Sequence, residues 1–271
     1  MTSVGVNESE LLEIAIAVAA DAAATAYRMR AKAITQIDTK STITDVVTAA
    51  DRAVEQQVVA ALRAVRPGDA ILGEEFGDDG EVVAGQVRWI VDPIDGTVNY
   101  LYGLPQYAVS IAAEVDSEVV AGVVQNAATG TVWTAALGRG AWQGQTRLTG
   151  SAATGLERAL VATGFAYAAQ RRAHQGRVVA ALLPHIRDIR RMGAAALDLC
   201  AAAQGNVDAY YEKGLAAWDL AAGGLIARES GLLVTGLSGA AAGPDLVLAA
   251  PPALHGPLHE LLVELDAAGG P

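Results

Sequence analysis

The strongest constraint on the fold is a change of pattern near Gly150. Ahead of it, three β-rich runs, Tyr107–Val115, Glu118–Gln125 and Thr131–Ala136, follow one another with short breaks. Strands joined so closely turn back on themselves, which predicts an antiparallel meander. Arg88–Val91 is a further strand before them. Beyond Gly150 the pattern alternates. Strands at Ala159–Thr163, Ile186–Arg191 and Asn206–Tyr211 are each followed or preceded by helical stretches, at Arg171–Leu183, Ala194–Ala203 and Asp219–Glu229. Strands at Leu232–Thr235 and Leu246–Ala249 and a helix at Leu254–Leu265 close the chain. Two helices open it. One starts at Asn7, with Glu10 completing a capping-box-like beginning, and carries the stripe Leu11, Ile14, Val18, Ala22, Met29. The other runs from about Thr48 to Ala64 and stops at Pro67-Gly68. The expectation is a single domain over residues 1–271, with an α+β lobe over about 1–150 and an α/β lobe over about 151–271.

Composition narrows the function classes. Hydrophobic residues make up 52% of the 271 and charged residues 18%, enough to fill a core. A net charge of −11 argues against a general nucleic-acid binder and fits a protein that holds cations. The lone Cys200 excludes an intramolecular disulfide and a Cys-rich zinc site. Glu13 and Asp21 interrupt the first apolar stretch, so no signal peptide or membrane span is expected, and the default location is cytoplasmic.

Three acidic clusters sit where elements end or begin: Gly73-Glu74-Glu75, Asp92-Pro93-Ile94-Asp95-Gly96-Thr97, and Trp218-Asp219. In the second, an apolar strand ends in two aspartates. Pro93 pushes Asp92 toward an extended conformation and Gly96 permits a tight turn. Both carboxylates can then converge, with the Ile94 carbonyl between them, and an all-oxygen set suits Mg²⁺ rather than zinc or copper. Singly, each acid has an ordinary explanation. Asp92 and Asp95 can accept turn hydrogen bonds, Glu74 can be a solvated loop residue, and Asp219 and Asp51 can be first-turn helix carboxylates.

Taken together, the set resembles the inositol monophosphatase family. The family patterns G-E-E, W-I-x-D-P-I-D-G-T-x-N and W-D-x-A-A/G-x are met by Gly73–Glu75, Trp89–Asn99 and Trp218–Gly223, and V-V-T-A-A-D ends at Asp51. The likeness spans about Lys40 to Gly231 in order and spacing. The stretches Asp188–Cys200 and Asp208–Tyr211 look most like bacterial, particularly actinobacterial, members.

The resemblance implies a layered αβαβα sandwich of the inositol monophosphatase and fructose-1,6-bisphosphatase type, and a lithium-sensitive phosphatase using two or three Mg²⁺ ions. It implies that Glu74, Asp92 and the Ile94 carbonyl hold one metal and Asp92, Asp95 and Asp219 a second, with Glu74 reaching a third through waters. Thr97, polarised by Asp51, and Glu74 are implied to activate the attacking water. The Gly96 and Thr97 amides are implied to contact phosphate, and Lys40 to play a supporting part. Asp95, Gly193, Ala195 and Glu212 are implied to meet the substrate, a small phosphorylated polyol or sugar such as myo-inositol 1-phosphate. Ala194 departs from the pattern, which has Thr or Ser there, and removes a hydroxyl expected near the substrate. Histidinol phosphate and fructose 1,6-bisphosphate are alternative substrates, the latter needing a basic patch for which Arg190 and Arg191 are candidates, with service at a subunit interface as their alternative role. Some bacterial relatives bind the transcription machinery, so a regulatory role is a second class of reading. A homodimer is expected from the family habit.

Overall fold

The computed structural model describes residues 7–33, 37–39, 46–80 and 83–270. The chain begins with helix α1 (Glu8–Ala33), the short antiparallel pair β1 (Ile37–Thr39) and β2 (Val46–Thr48), and helix α2 (Ala49–Val65). Next come β3 (Ala70–Gly73), β4 (Gly77–Asp79), β5 (Val87–Asp95), the short helix α3 (Thr97–Tyr102), and β6 (Ala108–Val115). The meander continues with β7 (Glu118–Asn126), β8 (Val132–Ala136), β9 (Ala141–Gln143) and β10 (Thr146–Arg147). Past Gly150 the order is β11 (Leu160–Thr163), α4 (Ala169–Leu182), β12 (Asp188–Arg190), α5 (Ala195–Gln204) and β13 (Ala209–Glu212). It ends with α6 (Ala217–Glu229), β14 (Leu233–Thr235), β15 (Val247–Ala250) and α7 (Pro252–Glu264).

The strands form an eight-stranded sheet, β10-β9-β8-β7-β6-β5-β3-β4, and a five-stranded sheet, β12-β11-β13-β15-β14. The first is antiparallel except where β3 runs alongside β5. In the second, β11 is parallel to both β12 and β13, while β15 is antiparallel to β13 and β14. Side-chain alternation sorts these strands into layers. On β5, Val87, Trp89 and Val91 pack with α1 and α2, whereas Ile90 packs with α5 and α6. On β15, Val247 and Ala249 face α5 and α6, whereas Leu248 and Ala250 face α4 and α7. The result is five layers: helix, sheet, helix, sheet, helix.

The middle helical layer explains the alanine-rich sequence. A helix covered by sheets on both sides has no polar face to offer. Eight of the ten residues of α5 are buried, and α6 is buried from Ala221 to Ala227. Small side chains let the layers close. A Cβ on Gly122 of β7 would stand 3.0 Å from the Ala222 Cα, so glycine is what lets α6 lie this near the sheet. By contrast α2 buries Val54, Val58 and Leu62 on one face only. Its far end is fixed to β5 by Asp69, which accepts the buried Trp89 indole N–H at 2.9 Å and pairs with Arg66 at 2.8 Å.

Most expected elements are present within a few residues, and the differences have local causes. Strand β5 runs on to Asp95 instead of ending at Val91, because a bulge keeps it paired to β6. The expected strand at Asn206 starts only at Ala209. Gly205 closes α5 in a left-handed turn, Asn206 donates back to the Ala201 carbonyl, and the Asp208 carboxylate accepts the Leu160 amide at 2.7 Å. Strands β1, β2, β4, β9 and β10 are two or three residues long, too short to show a period.

Candidate active site

The site lies where β3, β5, α5, β13 and α6 present their ends to a common space. Asp92 and Asp95 are three residues apart, and on a regular strand they would face opposite sides of the sheet. The β5–β6 register removes this conflict. Asp92 pairs with Ser110 and Asp95 with Ala108, so one extra residue is bulged out between them and both carboxylates turn the same way. Asp92 accepts the Ile94 amide at 3.0 Å. Asp95 accepts the amides of Ala195 and Ala196 at 3.1 and 2.8 Å, so it also caps the start of α5. Asp219, in the first turn of α6, accepts the Ala216 amide at 2.7 Å. One carboxylate oxygen from each of Asp92, Asp95 and Asp219 lies within 4.8 Å of the others. Glu74 falls just outside that trio, at the end of β3, but its charge acts on Asp92 more strongly than that of Asp95 or Asp219.

Gathering these carboxylates at such close quarters is costly. Burial, and then the facing Glu74, Asp95 and Asp219, raise the Asp92 carboxyl well above the usual range. Burial and the nearby Glu212 and Glu74 push Asp95 up to about 7, although two amides pull the other way. Neither Asp92 nor Asp95 forms an ion pair with Lys or Arg among the described residues. An oxygen-only donor set of clustered carboxylates fits a hard divalent cation.

The turn after Asp95 carries Gly96, with φ +87°, where a Cβ would stand 2.6 Å from the Gln106 carbonyl. It starts α3, and Thr97 is the first residue of that helix. Thr97 Oγ1 lies 3.3 Å from Asp51 Oδ1 and 3.2 Å from the Ile94 carbonyl, which are its alternative acceptors. Asp51 is almost fully buried in the first turn of α2. Beside this floor opens a cavity of about 300 Å³, lined by Asp95, Gly96, Gly193, Ala195, Glu212 and Asp219 among others. Glu212, at the end of β13, accepts the Tyr210 hydroxyl at 2.7 Å, and burial pushes its carboxyl up to about 7.

The sequence matches the profile of the inositol monophosphatase family over residues 7–267. The chain belongs to the inositol monophosphatase family. The inositol-1-monophosphatase of Mycobacterium leprae is 48% identical to it over 224 residues, 79% of this chain and 77% of that protein. A Pseudomonas aeruginosa protein named Nus factor SuhB is 41% identical over 199 residues, 72% of this chain and 73% of its own length. The solved structure of Mycobacterium tuberculosis SuhB matches with a TM-score of 0.83 at 39% identity, covering 97% of this chain and 99% of that one. The acidic floor is thus that of a family of metal-dependent phosphatases.

Within this phosphatase the structure gathers Glu74, Asp92, Ile94, Asp95, Asp219, Thr97 and Asp51 at the floor, and Gly96, Gly193, Ala195 and Glu212 around the cavity. Lys40 lies outside the described residues. Two expectations are refined. The Ala195 amide is already committed to Asp95, so Ala195 offers the cavity its surface rather than a donor. Ala194 is buried and does not line the cavity. It packs under the Gly96 turn, so the missing hydroxyl is lost from that packing and not from the cavity wall.

Two residues were given no role from the sequence, although Asn99 closes the central motif. Glu55 of α2 is fully buried and accepts the amides of Glu75 at 2.8 Å and Phe76 at 3.0 Å, which clamps the loop that carries Glu74. Gly73 makes room for it, since a Cβ there would sit 1.9 Å from Glu55 Oε1. Asn99 ties the turn after α3 to the substrate side by donating to the Gln106 and Met192 carbonyls, both at 2.8 Å. Glu55 did leave a signal: with Asp51, Val58 and Leu62 it falls on the buried stripe of α2.

Proposed function

We infer that the protein is a Mg²⁺-dependent phosphomonoesterase that hydrolyses myo-inositol 1-phosphate and related polyol or sugar monophosphates to alcohol and phosphate, by direct attack of water. The observation that carries this is the convergence of Asp92, Asp95 and Asp219 within 4.8 Å beside a cavity that Glu212 helps to line. Glu74, Asp92 and the Ile94 carbonyl would hold one ion, and Asp92, Asp95 and Asp219 a second. Glu74 would serve a third. When bound, Mg²⁺ neutralises phosphoryl oxygens and lowers the pKa of a coordinated water. The chain's own residues do the rest. Thr97, oriented by Asp51, and Glu74 position the attacking water, with Glu74 the acceptor for its proton. The Gly96 and Thr97 amides orient the phosphate. Glu212 accepts hydrogen bonds from hydroxyls of the alcohol, a role for which a carboxylate suits a polyol. Gly193 and Ala195 shape the wall beside it.

The chain is read as one phosphatase unit of two lobes that share the α5–α6 layer, acting as a homodimer in the cytoplasm and sensitive to lithium. No helix among the described residues is long and apolar enough to cross a membrane. Phosphate release from a panel of inositol 1-phosphate, histidinol phosphate and fructose 1,6-bisphosphate, with and without Mg²⁺, tests the reading. A Mg²⁺-dependent preference for inositol 1-phosphate is expected. No turnover of any ester would overturn it.

The Pseudomonas relative is named a Nus factor, which favours a second reading, a regulatory partner of the transcription machinery. Binding to RNA polymerase that persists in Asp92→Asn would support that role as separate from hydrolysis.

A further inference from the structure

Three cations line the cavity, Arg171, Arg191 and Lys213, and they are held differently. Lys213 Nζ donates to the Ala268 and Gly269 carbonyls at 2.5 and 2.8 Å, so its charge is committed to the C-terminal segment. Arg171 reaches over Gly214, its Nη1 2.7 Å from where a Cβ on that glycine would stand. Arg191 makes no hydrogen bond or ion pair among the described residues. Its guanidinium folds back over Gly193, with Nη1 2.3 Å from the position of a Cβ there, and Cζ lies 6.0 Å from the centre of the Phe165 ring. Gly193 therefore serves twice: its φ of +89° favours glycine, and the absent side chain leaves room for the guanidinium. The adjacent Arg190 is turned elsewhere, bonded to Asp188 at 2.6 Å and to the Ile189 carbonyl at 2.8 Å.

Arg191 is thus a cation placed by glycine and an aromatic ring at the edge of the substrate cavity, with no described residue taking its donors. Its charge reaches Glu212 and the buried Asp198, but it bonds neither, and Glu212 takes its hydrogen bond from Tyr210. A guanidinium carries five donors in a planar fork matched to phosphate and carboxylate. Seated on an aromatic face beside a cavity of about 300 Å³, that fork is suited to a group some atoms away from the phosphate at the acidic floor.

We propose that Arg191 is a specificity-determining residue that receives a second anionic group, phosphate or carboxylate, on the alcohol portion of the ester. This rests on the reading of the cavity as a phosphate-ester site. Esters matched in length isolate the effect: glucitol 6-phosphate, 6-phosphogluconate and glucitol 1,6-bisphosphate. In Arg191→Ala, kcat/KM for each doubly anionic ester relative to glucitol 6-phosphate is expected to fall about tenfold or more, through KM. Arg191→Lys should restore part of the ratio, and Arg190→Ala should keep it. A loss for 6-phosphogluconate alone assigns a carboxylate, and a loss for the bisphosphate alone assigns a phosphate. An unchanged ratio for both overturns the proposal. So does an equal loss on all three esters together with a changed molar mass by light scattering, which would make Arg191 a subunit-interface residue. Calorimetric Kd values for the same esters in Mg²⁺ separate this inference from the parent reading. If wild type cleaves none of them but Arg191→Ala still lowers the Kd ratio, the phosphatase reading fails and the subsite stands. If the Kd ratio also stays unchanged, the subsite fails.

Discussion

The floor of the site and its wall are built on opposite principles. At the floor, Asp92, Asp95 and Asp219 are locked by backbone amides, and their like charges face one another at close quarters. At the wall, Glu212 meets a tyrosine hydroxyl, and Arg191 leans on a glycine and a phenyl ring. The floor is rigid and electrostatically strained, so it is fit for one task. The wall is assembled from local contacts that can change singly. A floor change should therefore affect every ester alike, and a wall change should alter which ester is preferred.

Asp92→Asn tests the floor most severely. Phosphate release should drop by about 100-fold or more for every ester, the size of effect seen when a metal-site group is lost. Removing one charge from a repelling cluster should also raise the metal-free melting temperature by about 2–4 °C, while Mg²⁺ no longer raises it further. Scanning calorimetry with and without Mg²⁺ reads both effects. A metal-free variant that melts lower than wild type would mean the cluster is not strained.

Glu55→Gln extends the comparison to the support beneath the floor. The amide can accept from only one of the two loop N–H groups and turns a donor toward the other. The Mg²⁺ concentration for half-saturation should rise about tenfold, with selectivity among esters preserved. Titration calorimetry with Mg²⁺ alone measures this without turnover. Glu212→Gln is the matching test of the wall. It should reduce preference for inositol 1-phosphate over glycerol 2-phosphate by about fivefold and leave Mg²⁺ affinity intact. A Glu212 variant that loses Mg²⁺ binding would erase the distinction between floor and wall.

The smallest effect belongs to a site remote from both. Burial and the stacked His259 lower the His255 pKa, and Thr235 Oγ1 lies 2.9 Å from its Nε2. The folded state therefore favours neutral His255. The associated stability is present above about pH 6.5 and is lost as pH falls through the lowered folded value. In His255→Gln the acid-induced drop in melting temperature should shrink by about 1–2 °C, because the ring is only part-buried. Melts at pH 7 and pH 5 test it, and a larger drop than in wild type would reverse the sign.

Much of this was legible in the sequence because it depended on local pattern. The meander, the alternation after Gly150 and the strand ending in D-P-I-D-G-T rest on period and turn chemistry. What depended on contact between distant segments was harder to read. Arg190 and Arg191 are identical neighbours, and only the fold distinguishes the one tied to Asp188 from the one folded over Gly193. Ala194 stood next to motif residues and so was expected at the substrate, but the start of α5 turns it under Gly96. The bulge that aims Asp92 and Asp95 together required the β6 register, which no spacing within β5 reveals.

Asp95 holds two posts at once. It belongs to the acidic trio, and it is also the hook on which the first turn of α5 hangs, in the layer that both sheets press upon. Neutralising it weakens a hinge pin as well as an ion holder, so an inactive Asp95→Asn protein would confound chemistry with architecture. Asp92 bonds an amide two residues along its own strand and the side chain of its site neighbour Glu74, and neither link anchors a helix, so it is the cleaner choice for a catalytically silent version of this enzyme.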